Sequence, residues 1–334
     1  MHATVCPSPG APWVLALCGG VGGAKLAWGL EQLLRSQALG ALRIVVNTGD
    51  DFEHLGLHIA PDIDTVLYTL AGLNDPVRGW GRQGETWNFM AALTEWGADD
   101  WFALGDRDLA LHVERTRRLR AGETLAQVTA DLARRSGVQA MLLPMSERPV
   151  RTIVHTQEGD LPLQHYFVRH ACRPVVTGVS FAGAATAPPH PDLLAALADP
   201  ALAMVVICPS NPLLSIDPIL ALPGVRAALR ASRAPVVAVS PLIGGQAVKG
   251  PTAKMLRELG HGADNRTVAE HYAGLLDGLV VDHADAAQAL ELGIPVHAAA
   301  TLMDSPESKR ALAQAVVGFA QALTRPAAHG VRHA

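Results

Sequence analysis

The sequence predicts an α/β protein: a doubly wound, Rossmann-like parallel sheet with an inserted helical and antiparallel lid subdomain. Three observations predict it. Short β-branched runs at 13–18, 43–47, 203–208, 235–240, 278–281 and 295–298 alternate with helical patterns, as parallel strands joined by crossover helices do. The first run, WVLALC, empties into Gly19-Gly20-Val21-Gly22-Gly23-Ala24-Lys25 and then an amphipathic stretch, which reads as strand, glycine loop, helix. Between 140 and 182 the pieces MLLP, VRTIVHT, LQHYFVRH and PVVTGVSF follow one another without helical periodicity, which reads as an antiparallel insertion.

Helices are expected over 24–36, 62–72, 86–97, 107–120, 123–136, 192–198, 217–231, 251–259, 267–276, 285–292 and 306–324. The nucleotide-binding core is assigned to 13–105 and 191–325 and the lid to 106–190, over the carboxyl edge of the sheet, where ligands of open α/β sheets bind. Residues 1–12 and 326–334, rich in Pro, Gly, Ala or His, are expected to be disordered. With 334 residues, 49% apolar and 17% charged, the chain has enough apolar material for a large core. Twenty-seven basic against 31 acidic residues, no basic run and 4% aromatics speak against nucleic-acid binding. Cys6, Cys18, Cys172 and Cys208 form no C-x-x-C pair and read as thiols in a reducing compartment. The apolar stretches are too short to span a membrane and the N-terminus lacks a secretory pattern, so a cytoplasmic protein is expected.

Chemistry concentrates where the second strand ends. Asn47-Thr48-Gly49-Asp50-Asp51 is followed by Asp62 and Asp64 in PDIDT, gathering four carboxylates in one loop region. Two carboxylates about 4 Å apart repel by roughly 4 kcal/mol at an effective dielectric near 20, so such a group calls for a cation or hydrogen-bond donors. The glycine loop upstream is a generic anion cradle: backbone N–H groups meet the anion at the positive end of the helix dipole, and Lys25 adds charge. Neither standard nucleotide fingerprint fits, because Lys25 stands where G-x-G-x-x-G needs its third glycine, and Leu26 follows that lysine where the Walker pattern needs Ser or Thr.

Later motifs fall at the same sheet edge. Ser210 and Asn211, in a strand-to-helix loop, present a hydroxyl and an amide that suit a base or sugar, or simply a turn. Ser240 to Gly245, including Gly244, leads through Lys249 into another helix and suits a second phosphate contact; Lys249 reads more readily as a solvated charge. In Leu104-Gly105-Asp106-Arg107-Asp108 one acid can cap the following helix, which leaves Arg107 for a carboxylate or an anionic or heteroaromatic ligand. Trp80 and Trp87 suit either a flat ligand or the core. His54 and His58 have the spacing of a zinc pair, but Gly56 and Pro61 disfavour the helix such a pair needs.

Together GGVGGAKL, NTGDD, PDIDTVLY, WG…ETW, LGDRD, LPMS, PSNP and SPLIGG…KGP, in this order over residues 13 to 324, resemble the CofD-type 2-phospho-L-lactate transferases of deazaflavin coenzyme F-420 biosynthesis. The resemblance implies transfer of a phospho-acyl unit from a guanosine diphosphate-linked donor to the ribityl hydroxyl of the deazaflavin FO, releasing GMP with the help of Mg²⁺. That unit is 2-phospho-L-lactate, phosphoenolpyruvate or 3-phosphoglycerate, and the residues leave the choice open. The resemblance places donor phosphates at Gly22, Gly23 and Lys25 and guanosine near Ser210 and Asn211, and Gly244 is kept as a substrate contact from the loop reading above. It places the acceptor near Asp64 and Arg107, with Trp87 beside it. Asp50 and Asp51 are the expected metal ligands, and Asp64 the preferred general base. A homodimer is implied, as is a functional link to a guanylyltransferase and a glutamyl ligase of the same pathway. Two departures stand out: Lys249 replaces a small residue, and GGVGGAK replaces a Thr/Pro-containing loop. The rivals are a non-catalytic YvcK-like nucleotide-sugar-binding regulator, which lacks the PDIDT, GDRD and PSNP set, and a nicotinamide-dependent oxidoreductase, which the failed glycine fingerprint disfavours.

Overall fold

The computed structural model describes residues 12–37 and 40–323; the terminal segments expected to be disordered fall outside this range, apart from Pro12. Seven strands form one sheet: β1 (Trp13–Cys18), β2 (Ala41–Val46), β3 (Met141–Pro144), β4 (Leu202–Ile207), β5 (Val236–Val239), β6 (Gly278–Asp282) and β7 (Val296–Ala299). Their order is β7-β6-β5-β4-β1-β2-β3, and every neighbouring pair is parallel. This is the doubly wound order, with the chain reversing direction between β1 and β4, so a crevice opens at the carboxyl ends of those two strands.

Helices cover both faces, so the central strands are apolar along their whole length rather than alternating. All six residues of β1 are buried. Val14, Ala16 and Cys18 pack on one side with the helices Gly20–Gln37 and Pro306–Ala322, while Trp13, Leu15 and Leu17 pack on the other with Leu193, Leu229 and Leu256.

Three expectations need correction. MLLP is β3, the edge strand of the parallel sheet, with Ile44 opposite Leu142; it is not part of the antiparallel insertion. The helix Leu125–Arg135 before it completes a crossover, which the short apolar run disguised. The antiparallel sheet is Arg151–Thr156 flanked by Gly159–Pro162 and Val176–Ala182, and HYFVR between them winds into a π-turn. The helix expected over 217–231 breaks into Asp217–Leu220 and Val225–Ala231, where Pro223 cannot continue it and Gly224 takes φ +81°. Among the described residues no single helix is long and apolar enough to cross a membrane.

Candidate active site

A cavity of about 730 Å³ opens at the carboxyl ends of β1, β2, β4 and β5, at the reversal point of the sheet. Its floor is the glycine turn. The helix after β1 begins at Gly20, so the glycines expected in a loop form its first turn. Gly20 has φ +62° and its N–H donates to Asp62 Oδ1 at 2.7 Å. Ser210 Oγ accepts from Gly19 N–H at 3.2 Å and donates to Gly19 O at 2.7 Å, stapling the β4 exit to the β1 exit. A Cβ on Gly22 would lie 2.3 Å from the Pro209 carbonyl oxygen, and one on Gly23 would lie 2.5 Å from Ser210 Oγ. These glycines are therefore required by loop packing; Gly22 reaches the cavity wall and Gly23 does not. Asn211 Oδ1 caps its own turn by accepting from Leu213 and Leu214 N–H. Its Nδ2 is buried without a partner, which leaves a free donor on a residue of the cavity wall.

The carboxylates separate into three arrangements. Asn47 Nδ2 donates to Asp50 Oδ1 at 2.8 Å and to Asp62 Oδ2 at 2.9 Å, so one amide holds both acids against the cavity. Burial pushes both proton affinities up, Asp62 to about 6, aided by the like charges of Asp62 and Asp51 at Asp50 and of Asp51 at Asp62. Asp51 is turned the other way: it is buried, absent from the cavity wall, and 3.2 Å from His58 Nε2. The acid paired with Asp50 at the cavity is therefore Asp62 rather than Asp51. Asp64 reaches the wall but accepts from both terminal nitrogens of Arg115, which is completely buried. A proton on Asp64 would strand that guanidinium, at a cost of several kcal/mol, which disfavours Asp64 as a general base.

Arg115 escaped the sequence reading because it stands among other arginines in ERTRRLR, with nothing local to set it apart. The available signal was periodicity: Asp108, His112 and Arg115 recur at i, i+4 and i+7 on one face of the helix Asp106–Arg120. Asp108 and His112 both line the cavity; Asp108 accepts from Tyr68 OH at 2.6 Å and lies 3.3 Å from His112 Nε2. Arg107, by contrast, is exposed and away from the cavity, and its N–H donates to Glu85 Oε2. Glu85 also accepts from Asp108 N–H, so Glu85 caps this helix, while Asp106 accepts from Asn88 and Phe89 N–H and caps the preceding one.

Trp87 also misses the wall; it packs on Arg78, whose guanidinium lies 4.9 Å from its ring centre. Arg78 and Trp80 do line the cavity. Gly244 lies outside the wall and its N–H donates to Asp285 at 3.0 Å, although the adjacent Ile243 is on it. Lys25 is on the wall, donates to Met303 O at 2.6 Å, and is held below the usual lysine range by burial and by nearby Lys309 and Lys249. His54 and His58 sit on the two strands of a hairpin, not on a helix. Among the described residues no group of three or more His, Cys, Asp or Glu is arranged to hold a metal.

A Rossmann-like sheet whose reversal point carries a glycine turn, a carboxylate pair and a lysine places a polar ligand site where open α/β sheets bind ligands, and the chain belongs to the CofD family of phospho-group transferases. The family described as 2-phospho-L-lactate transferase CofD matches residues 14–316. The chain is similar to the phosphoenolpyruvate transferase of Mycolicibacterium smegmatis, with 40% identity over 328 residues covering 92% of this chain and 98% of that one. It is equally similar to the phosphoenolpyruvate transferase of Kitasatospora aureofaciens, 40% identical over 317 residues with the same coverage. A solved member of the UPF0052 family from Bacillus halodurans shares the fold, with a TM-score of 0.60 and 16% identity over 92% of this chain and 99% of that one.

Proposed function

We propose that this protein transfers phosphoenolpyruvate from a guanosine diphosphate-linked donor to the ribityl hydroxyl of FO, releasing GMP. The observation that carries the reading is the Asp50–Asp62 pair, held by one amide beneath the glycine turn and facing the cavity. What favours phosphoenolpyruvate over the other acids is the name carried by relatives about 40% identical across nearly the whole chain.

In the reaction the ribityl oxygen forms a bond to the phosphorus that carries the enolpyruvyl group. The bond from that phosphorus to the bridging oxygen breaks. GMP leaves with the bridging oxygen, and the hydroxyl proton passes late to the departing phosphate. Transfer of this kind asks the protein mainly to position groups and neutralise charge. Asn211 Nδ2 is the free donor for the guanosine side, and Lys25 the cation for the diphosphate. Asp64, fixed by Arg115, orients the attacking hydroxyl by accepting its hydrogen bond. The tricyclic acceptor ring rests on the aromatic wall of Trp80, Trp101, Phe102 and Phe167.

Mg²⁺ fits the donor set, because it favours oxygen ligands from one or two carboxylates together with substrate phosphates. Asp50 and Asp62 would hold it, in place of the Asp50 and Asp51 expected from the motif, and it would supply positive charge to the diphosphate. The test is mass spectrometry after incubation with FO, the guanylylated phosphoenolpyruvate donor and Mg²⁺. Equimolar GMP and an FO phosphodiester are expected. Donor binding without any FO product would favour the regulatory alternative.

A further inference from the structure

Two lysines lie on the cavity wall, and neither makes an ion pair among the described residues. Lys25 hydrogen-bonds a neutral carbonyl, Met303 O, and feels Asp304 only as a more distant charge. Lys249 sits on an exposed loop and makes no ion pair among the described residues. Its ammonium nevertheless lies against neighbouring backbone. The strap 72–87 passes beside the cavity, and a Cβ built on Gly79 of that strap would lie 2.0 Å from Lys249 Nζ. Gly79 has φ +72°, so glycine serves both the turn and the gap that the ammonium fills. The strap follows the helix Pro61–Leu70 beyond β2, whereas Lys249 follows β5, so this contact joins the two sides of the crevice. The charge on Lys249 also opposes that on Lys25, and an anion between them relieves both.

The donor carries two phosphate charges and, beyond them, the carboxylate of its acid. The glycine turn and Lys25 answer the phosphates. We propose that Lys249, seated in the Gly79 gap, is a specificity-determining residue that binds the carboxylate of the donor's acid. The inference rests on the transfer reading above.

The test compares the donor with GDP, which has the same nucleoside diphosphate but no carboxylate, by calorimetry on the wild type, Lys249→Met and Lys249→Arg. Methionine keeps the stem and removes the charge, and the site is exposed, so folding is retained. Loss of a charge-assisted contact predicts donor binding weaker by about 10- to 100-fold in Lys249→Met, with GDP binding within about twofold of wild type. Lys249→Arg recovers most of the donor affinity. Equal weakening of donor and GDP would make Lys249 a phosphate contact and overturn the proposal. Unchanged binding of both would return it to a solvated charge, which also overturns it. The binding comparison needs no turnover, so a wild type that binds donor but forms no GMP with FO refutes the reaction and leaves the carboxylate contact separately tested.

Discussion

Replacing Asp50 by Asn removes one of two like charges that share a single amide donor. The two carboxylates accept from the same Asn47 Nδ2 at 2.8 and 2.9 Å. With their charge centres about 6 Å apart, they repel by roughly 3 kcal/mol at an effective dielectric near 20. An Asn at position 50 can present its carbonyl oxygen to Asn47, so the hydrogen bond survives while burial of the charge and the repulsion both disappear. About 1 kcal/mol moves Tm by roughly 1.5 °C in a chain of this length, so the ligand-free variant melts about 4 °C above wild type at pH 7.5. The sign with pH follows from linkage. Both folded-state proton affinities are raised, that of Asp62 to about 6, so above the ordinary carboxylate range the folded state holds more protons on this pair than the unfolded state and the wild type loses stability as pH rises through those raised values. The variant's advantage is therefore small at pH 4 and grows as pH rises through the raised proton affinities of the pair. Scanning calorimetry of both proteins from pH 4 to 7.5, without Mg²⁺, measures it. A variant melting at or below wild type at pH 7.5, or an advantage independent of pH, would show that the pair carries no repulsion. Turnover with FO and donor should fall by orders of magnitude in the same variant.

Asp62→Asn behaves differently, because its amide would have to accept from both Gly20 N–H and Asn47 Nδ2; one partner is lost and the gain in Tm is smaller than for Asp50→Asn. Arg115→Met leaves Asp64 buried without its partner and costs about 3–5 kcal/mol in denaturant melts, while adding Asp64→Leu restores most of it. If instead the single variant unfolds at the wild-type midpoint, the ion pair is not structural. Gly22→Ala drives a methyl against the Pro209 carbonyl, a backbone atom that cannot swing aside, so it lowers both Tm and turnover; a crystal structure with an undisturbed 208–211 loop would count against this. Arg107→Ala leaves FO affinity within about twofold of wild type, since its side chain is exposed and outside the cavity; a tenfold rise in the FO KM would put it back in the acceptor site.

The sheet was legible because its strands are apolar along their whole length and separated by helices of ordinary period. β3 was missed because four residues at a sheet edge look the same in a parallel as in an antiparallel neighbourhood, and only pairing with β2 decides it. The location of the site was legible from the glycines and from the density of acids. Which acids face the cavity was not, since Asp50 and Asp51 are neighbours in sequence and leave the chain in opposite directions, one toward Asn47 and the other toward His58. Arg107 drew attention because it stands between two acids, yet the residue of that helix that matters most to the cavity's acids is Arg115, two turns further along the same helix. Nothing local distinguishes a buried arginine from its solvated neighbours except the face it shares with Asp108 and His112.

Glu85 and Asp106 have a mechanical consequence. Each closes the start of a helix that the other's neighbourhood leads into, Glu85 for the helix beginning at Asp106 and Asp106 for the one beginning at Asn88. The two helices are thereby latched together at one end, and the one that carries Asp108 and His112 on the cavity wall cannot slide along the other. Breathing at the mouth is left to Gly81 beside Trp80, where a positive φ and the absence of neighbours within 4 Å of a would-be Cβ leave the backbone free of side-chain contact, whereas Gly79 is held against Lys249. Rigidity is thus stationed where the chemistry needs a fixed frame, and compliance is confined to a few peptide units at the doorway.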